Sequence, residues 1–138
     1  MKFFVKCNPP KTTMQAATRI FKNKHTGQMF IGKMDKAKSV REELMALFRP
    51  YVPKNPYRKP VRVVIEWGYP YLKSVRKRDI GKLIPCITRP DCDNLEKGLF
   101  DIMTRMGFWV DDAIVWDVRF RKFYTEEAGI GVEIEETE

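Results

Sequence analysis

The sequence predicts a single α/β domain of the α+β kind, built as a mixed β-sheet with two main helices. Three observations carry that prediction. Short runs alternate apolar and polar residues with period two, as VRVVIEW does at 61–67. Two longer runs place apolar residues at helical spacing. Stretches rich in Pro and Gly punctuate both kinds of run. At 138 residues the chain suits one domain with a real core, and it shows neither an internal repeat nor a low-complexity segment.

The elements follow in order. KFFVKC at 2–7 reads as a strand stopped by Asn8-Pro9-Pro10, and a polar loop follows. TRIFKNKHTGQMFIG reads as a hairpin turning at its His-Thr-Gly. A first helix is expected at 35–48, capped by Asp35 and ended by Pro50, with Ala37, Val40, Leu44 and Leu47 on one stripe. PYVPKNPYRKP is a proline-rich connector. The strand at 61–67 puts Val61, Val63, Ile65 and Trp67 on one face. A long basic loop is expected over 68–89, with Tyr69 and Tyr71 at its base. A second helix should run from Asp93 to Met106 and stop at Gly107. Its apolar stripe is Leu95, Leu99, Ile102, Met103 and Met106, and Asp93, Lys97 and Asp101 mark the other face. The next strand points Ile114, Trp116, Val118 and Phe120 one way and Asp117, Arg119 and Arg121 the other. Ile130, Val132 and Ile134 then alternate within the acidic segment 126–138, which reads as an edge strand with an acidic outer face.

Charge is unevenly placed. The net charge is +8, yet residues 124–138 hold six glutamates and no Lys or Arg, so residues 1–123 carry +14. A basic body of that kind attracts polyanions, nucleic acid first and anionic membrane second. The loop at 68–89 concentrates Lys73, Arg76, Lys77, Arg78, Lys82 and Arg89 against the single Asp79, and Arg119 and Arg121 extend the basic surface. These residues suit contact with DNA phosphates, which positions a protein without reading sequence. No apolar run approaches the roughly 20 residues that span a bilayer. MKFFVKCNPPK lacks the apolar core of a signal peptide, and Cys7, Cys86 and Cys92 form no CxxC, so a reducing cytoplasm and free thiols are expected.

Against this basic background, RPDCDNLEKGLFDIMTRMGFWVDD at 89–112 gathers carboxylates. Each has an ordinary structural explanation. Asp91 or Asp93 can cap the second helix, with Glu96 completing a capping box. Asp93, Lys97 and Asp101 can form a surface ion-pair ladder, and Asp111-Asp112 can make a turn. The chemical alternative is that Asp91, Asp93 and Asp112 converge and hold Mg²⁺, or Mn²⁺ in its place, since bunched carboxylates need a cation and hard oxygen ligands suit these. Lys97 would then face the phosphate and offset developing charge. Spacing alone leaves this open, since D-x-D also occurs in sugar-nucleotide transferases.

The residues themselves go further. RPDCDNLEKGLFDIMTRMGFWVDDAIVWDVRFRK, residues 89–122, resembles the signature of the RusA family of Holliday junction resolvases. There a D-x-D-N-x-x-K run opens a helix, and a G-hydrophobic-W-x-D-D turn leads into a strand ending in lysine. The strand ending in Pro-Pro at the start of the chain also looks like the family. The resemblance implies that Asp91, Asp93 and Asp112 are metal ligands and that Lys97 is the catalytic lysine. Asn94, Asp101, Asp111 and Lys122 match supporting positions. It implies a homodimeric, Mg²⁺-dependent endonuclease that binds four-way DNA junctions and nicks two opposed strands, acting in recombination and repair. Members are frequently carried by phages and prophages, which places the protein in a bacterial or phage-infected cell. The long basic loop departs from the family's short arginine run, and residues 11–60 carry no resemblance. Two rivals are a branched-DNA-binding protein without catalysis and a metal nuclease preferring flaps or forks.

Other residues have plainer readings. His25 is expected to be a turn residue. The spacing of Cys86 and Cys92 fits no zinc pattern. Trp67 and Trp116 are expected in the core, which leaves Trp109 as the tryptophan open to stacking on an unpaired base.

Overall fold

The computed structural model describes residues 1–12, 18–22, 24–33 and 35–138. Strands β1 (Lys2–Lys6), β7 (Gly129–Glu136), β4 (Val61–Pro70), β6 (Val115–Thr125) and β5 (Ile84–Pro85) form one sheet in the order β1-β7-β4-β6-β5. The β4–β6 pair is parallel and the other pairs are antiparallel, so the sheet is mixed. Strands β2 (Thr18–Lys22) and β3 (Met29–Lys33) make a separate antiparallel hairpin. The helices are α1 (Asp35–Phe48) and α2 (Cys92–Met106).

Period-two alternation explains how the sheet acquires its core. Register aligns Phe3, Val132, Ile65 and Phe120 across four strands, with Val5, Ile130, Trp67 and Lys122 in the next row. Val61, Val63, Ile65 and Trp67 are fully buried, as the alternation required. They share one apolar cluster with Leu44 and Phe48 of α1 and Leu95, Leu99, Ile102 and Met103 of α2. Each of these side chains contributes roughly 1.5–3 kcal/mol through removal from water. The opposite row of β4 and β6 is polar and paired: Arg121 donates to Glu66 at 2.5 Å, and Arg62 lies 3.9 Å from Asp117.

Four expectations are corrected. β7 is not an edge strand, because it lies between β1 and β4; its alternation would look the same in either position. The loop expected over 68–89 is shorter and more ordered. β4 continues to Pro70, a 3-10 turn covers Lys77–Asp79, and β5 pairs with β6. The Tyr71 hydroxyl knits the loop by donating to the Lys82 carbonyl at 2.6 Å and accepting from the Gly81 N–H at 2.9 Å. Ile114 lies in a 3-10 turn before β6, and the ladder shifts by one residue between Val61 and Arg62, so Val115 opposes Val61 while Asp117 opposes Arg62. Trp116 falls in that bulge and is 62% exposed instead of buried. Trp109, expected to be accessible, is buried.

Candidate active site

The site begins at a lysine on the sheet. Lys122 stands in the same row as buried Trp67, and its ammonium donates to the Pro90 carbonyl at 2.8 Å and to the Thr88 carbonyl. Two carbonyls on one charge fix the approach to α2. The Arg89–Pro90 peptide in this approach is cis. Asp91 then takes the N-cap position in extended conformation, and its carbonyl accepts the Leu95 N–H at 3.1 Å. Its side chain makes no capping hydrogen bond, and Asp93 already lies inside the helix, so the capping box of Asp93 and Glu96 is not formed. Asp91, Asp93, Asn94 and Lys97 are all exposed. The helix dipole favours carboxylates here. The ladder of Asp93, Lys97 and Asp101 is also absent: among the described residues, Lys97 makes no ion pair within 4.0 Å. These groups are left with their charges unspent.

The second half of the site is set by the other end of α2. Gly107, at φ 88°, closes the helix in a conformation that only glycine adopts cheaply. The chain then runs back along the helix. Trp109 packs edge-on against Phe100 at 5.2 Å, and its indole N–H donates to the Thr104 hydroxyl at 2.7 Å. Tyr57 pins this turn from the far side, donating to the Phe108 carbonyl and accepting from Val110, both at 3.0 Å. Asp111 performs the turn role foreseen for it, accepting the Ala113 N–H at 2.9 Å. Asp112 is half-buried. Burial pushes its carboxyl above the usual range, and hydrogen bonding to Asp111 and the charges of Asp111 and Asp101 push it further.

The Asp101 charge that acts on Asp112 lies two helical turns beyond Asp93, roughly 12 Å along the axis. Among the described residues, no three His, Cys, Asp or Glu side chains are grouped closely enough to hold a metal ion. The physical reason is topological. β6 runs opposite to α2, so Asp112 enters near the helix's C-terminal half while Lys122 and Asp91 lie by its N-terminus. A single chain thus presents Asp91 and Asp93 as one group and Asp112 as part of another. The three carboxylates that the resemblance implies as ligands are thus not gathered as one set in this structure.

The basic residues are placed as follows. Lys73, Arg76, Lys77, Arg78, Lys82 and Arg89 are exposed. Asp79 takes Arg76 at 2.9 Å and Lys82 at 3.9 Å, so two of the six are partly neutralised. Arg119 is exposed, whereas Arg121 is engaged by Glu66.

A family model described as "Endodeoxyribonuclease RusA" matches residues 9–135. The chain belongs to the RusA endodeoxyribonuclease family. Its curated relatives include the crossover junction endodeoxyribonuclease RusA of Escherichia coli strain K12, 46% identical over 46 residues. The protein of that name from Enterobacteria phage 82 is also 46% identical over 46 residues, and that from E. coli O139:H28 is 44% identical over the same length. Each match covers 33% of this chain and 38% of the relative, so the chain spans well under half the length of the relatives it matches. The RusA family match also extends through residues 11–60, where no resemblance was expected.

Two features were missed by sequence reasoning. The hold of Lys122 on the segment before Asp91 had no local signal, because its partners lie 34 and 32 residues away. Cys86 shares a small cluster with Thr88 and Tyr124, its sulfur 3.5 Å from the Thr88 hydroxyl. Burial pushes the Cys86 thiol up, but hydrogen bonds from Thr88 and Tyr124 and the charge of Lys122 outweigh it and leave the thiol lowered. No helix among the described residues is long and apolar enough to cross a membrane.

Proposed function

We propose that residues 1–138 act as one structure-specific endodeoxyribonuclease domain that resolves four-way DNA junctions by paired nicks, as a homodimer and with Mg²⁺. The observation that supports this most is the unsatisfied set at the start of α2. Asp91, Asp93 and Lys97 are exposed and uncapped in a chain of the RusA family. A binder of DNA alone gains nothing from carboxylates facing phosphate. The reaction is attack of water on phosphorus with cleavage of one bridging P–O bond, and the departing oxygen takes up a proton. Lys97 offsets the charge that builds on the phosphate, an effect commonly worth ~10²–10³ in rate. Asp91 and Asp93 would hold Mg²⁺, which would supply a Lewis acid for the attacking water and the phosphate oxygens. The exposed bases from Lys73 to Arg89 hold the arms through phosphates.

The test compares four-way junctions, flaps, forks and linear duplex of equal length under one salt condition. The proposal expects nicking of the junction well ahead of the other three. Faster cleavage of flaps or forks would replace it with a different nuclease, and binding without cleavage would leave a junction-binding protein.

A further inference from the structure

A cavity of about 300 Å³ lies beside the approach to Asp91. It is lined by residues far apart in the chain: Lys11, Tyr69 and Leu72, Cys86 with Thr88 and Arg89, and Tyr124 of β6. Buried Tyr69 and Cys86 make its bottom, half-buried Tyr124 its side, and exposed Lys11, Leu72, Thr88 and Arg89 its mouth. Separate bonds hold the two basic segments at that mouth. The Tyr69 hydroxyl donates to the Pro10 carbonyl at 3.1 Å, which keeps the Lys11 ammonium 6.0 Å from the centre of the Tyr69 ring. The Lys122 ammonium donates to the Thr88 carbonyl. The cavity is therefore formed before any ligand arrives, as small-ligand sites usually are.

Its lining selects a kind of ligand. The body is aromatic and apolar, with the Tyr69 and Tyr124 rings 6.1 Å apart and Leu72 above them. A few polar atoms interrupt it: the Cys86 sulfur, the Thr88 hydroxyl 3.5 Å from it, and the Tyr124 hydroxyl. Two cations stand at the mouth, and among the described residues neither Lys11 nor Arg89 has an ion pair within 4.0 Å. A free anion would want the charge at the bottom, where the tyrosine rings are. A lipid tail would not want polar atoms there. A flat ring with a hydrogen-bonding edge, carried on a chain with negative charge on both sides, suits every part. That is a nucleobase within a strand.

The place suits it as well. Thr88 and Arg89 lead directly through Pro90 to Asp91, so a base seated here belongs to the strand whose phosphate stands at the acids. Turning a base out costs least where its stacking is already broken, as it is at a branch point.

We infer that this cavity seats one nucleobase turned out of the strand to be cut, at the branch point, with Lys11 and Arg89 on the phosphates that flank it. This rests on the proposed nuclease reading for what stands at Asp91. It goes beyond that reading, because phosphate contacts only position the arms, whereas a seated base makes nicking depend on the base at one position.

The test does not need cutting. Four-way junctions carry 5-iodouracil or 8-bromoadenine at one position at a time around the branch point, and are bound by wild type in EDTA and irradiated. Cross-linked peptides are read by mass spectrometry. One position is expected to cross-link to Tyr124 or Tyr69. Thr88→Phe and Leu72→Trp each fill the mouth from an exposed position, and the bond from Lys122 to residue 88 is kept because it uses the backbone carbonyl. Both should fold, lose that cross-link and bind the junction about five-fold more weakly, the lower end of what one base stacked on an aromatic ring contributes. In Mg²⁺, the spread of wild-type nicking rates over the possible bases at that position should collapse in both variants. Junction binding with cross-links only outside the cavity, or a Tyr124 cross-link that survives both folded variants, overturns the subsite. If wild type binds but does not nick, the nuclease reading fails, and the cross-links still decide whether a base enters the cavity.

Discussion

Lys122 shows most clearly how one side chain governs the candidate site. Its ammonium on two carbonyls fixes Thr88 to Pro90, and through them the aim of Asp91. Lys122→Met keeps the stem in its row beside Trp67 and removes only the charge. It is expected to cost roughly 1.5–3 kcal/mol of stability and to slow nicking while junction binding persists. Melting curves and single-turnover rates on pre-bound junction check this, and an unchanged rate would deny the positioning role. Glu96 makes a separate test of electrostatics. Burial, then the charge of Asp93, raises its carboxyl in the folded state. A raised carboxyl favours the protonated fold, so its contribution is full below the unfolded value of about 4.3 and is lost as pH rises through the folded value. Glu96→Gln should therefore melt higher than wild type at pH 7, by less than about 1 kcal/mol because the group is half-exposed, and the gap should close near pH 4. A gap independent of pH would contradict that origin.

At the scale of elements, α2 was the most legible part of the chain. Its stripe of Leu95, Leu99, Ile102 and Met103 is buried as its spacing required, and Gly107 ends it. Leu99→Ala should cost about 2–5 kcal/mol by opening a cavity under the helix, measurable by denaturant unfolding. A loss below 1 kcal/mol would mean that α2 does not anchor on the sheet as described. Periodicity tells which face an element buries, but not which element lies beside it. That is why β7 looked like an edge, and why nothing local said that Asp112 feels the charge of Asp101. The Trp116 bulge was equally hidden, because one inserted residue reverses the alternation of everything before it. The resemblance named Asp91, Asp93 and Asp112 as candidate ligands. It did not say that topology would divide them.

For the whole molecule, the governing feature is a basic body whose acids are densest in residues 89–112 and in the C-terminal segment 126–138. Lys77 and Arg78 are exposed and, among the described residues, have no ion pair within 4.0 Å, unlike Arg76 and Lys82. Lys77→Ala/Arg78→Ala should weaken binding to any DNA arm and lower the slope of log affinity against log salt by up to about 2. Titrations at several salt concentrations read that slope directly, and an unchanged slope would place these residues off the DNA.

The most direct measurement is strand-resolved nicking of a synthetic four-way junction by wild type, Asp91→Asn and Asp112→Asn in Mg²⁺, with linear duplex as control and binding followed in parallel. Paired, symmetric nicks by wild type alone, with binding kept by both variants, are the predicted result. A folded wild type that binds the junction but cuts it in neither Mg²⁺ nor Mn²⁺, or an Asp91→Asn that cuts as well as wild type, would contradict it.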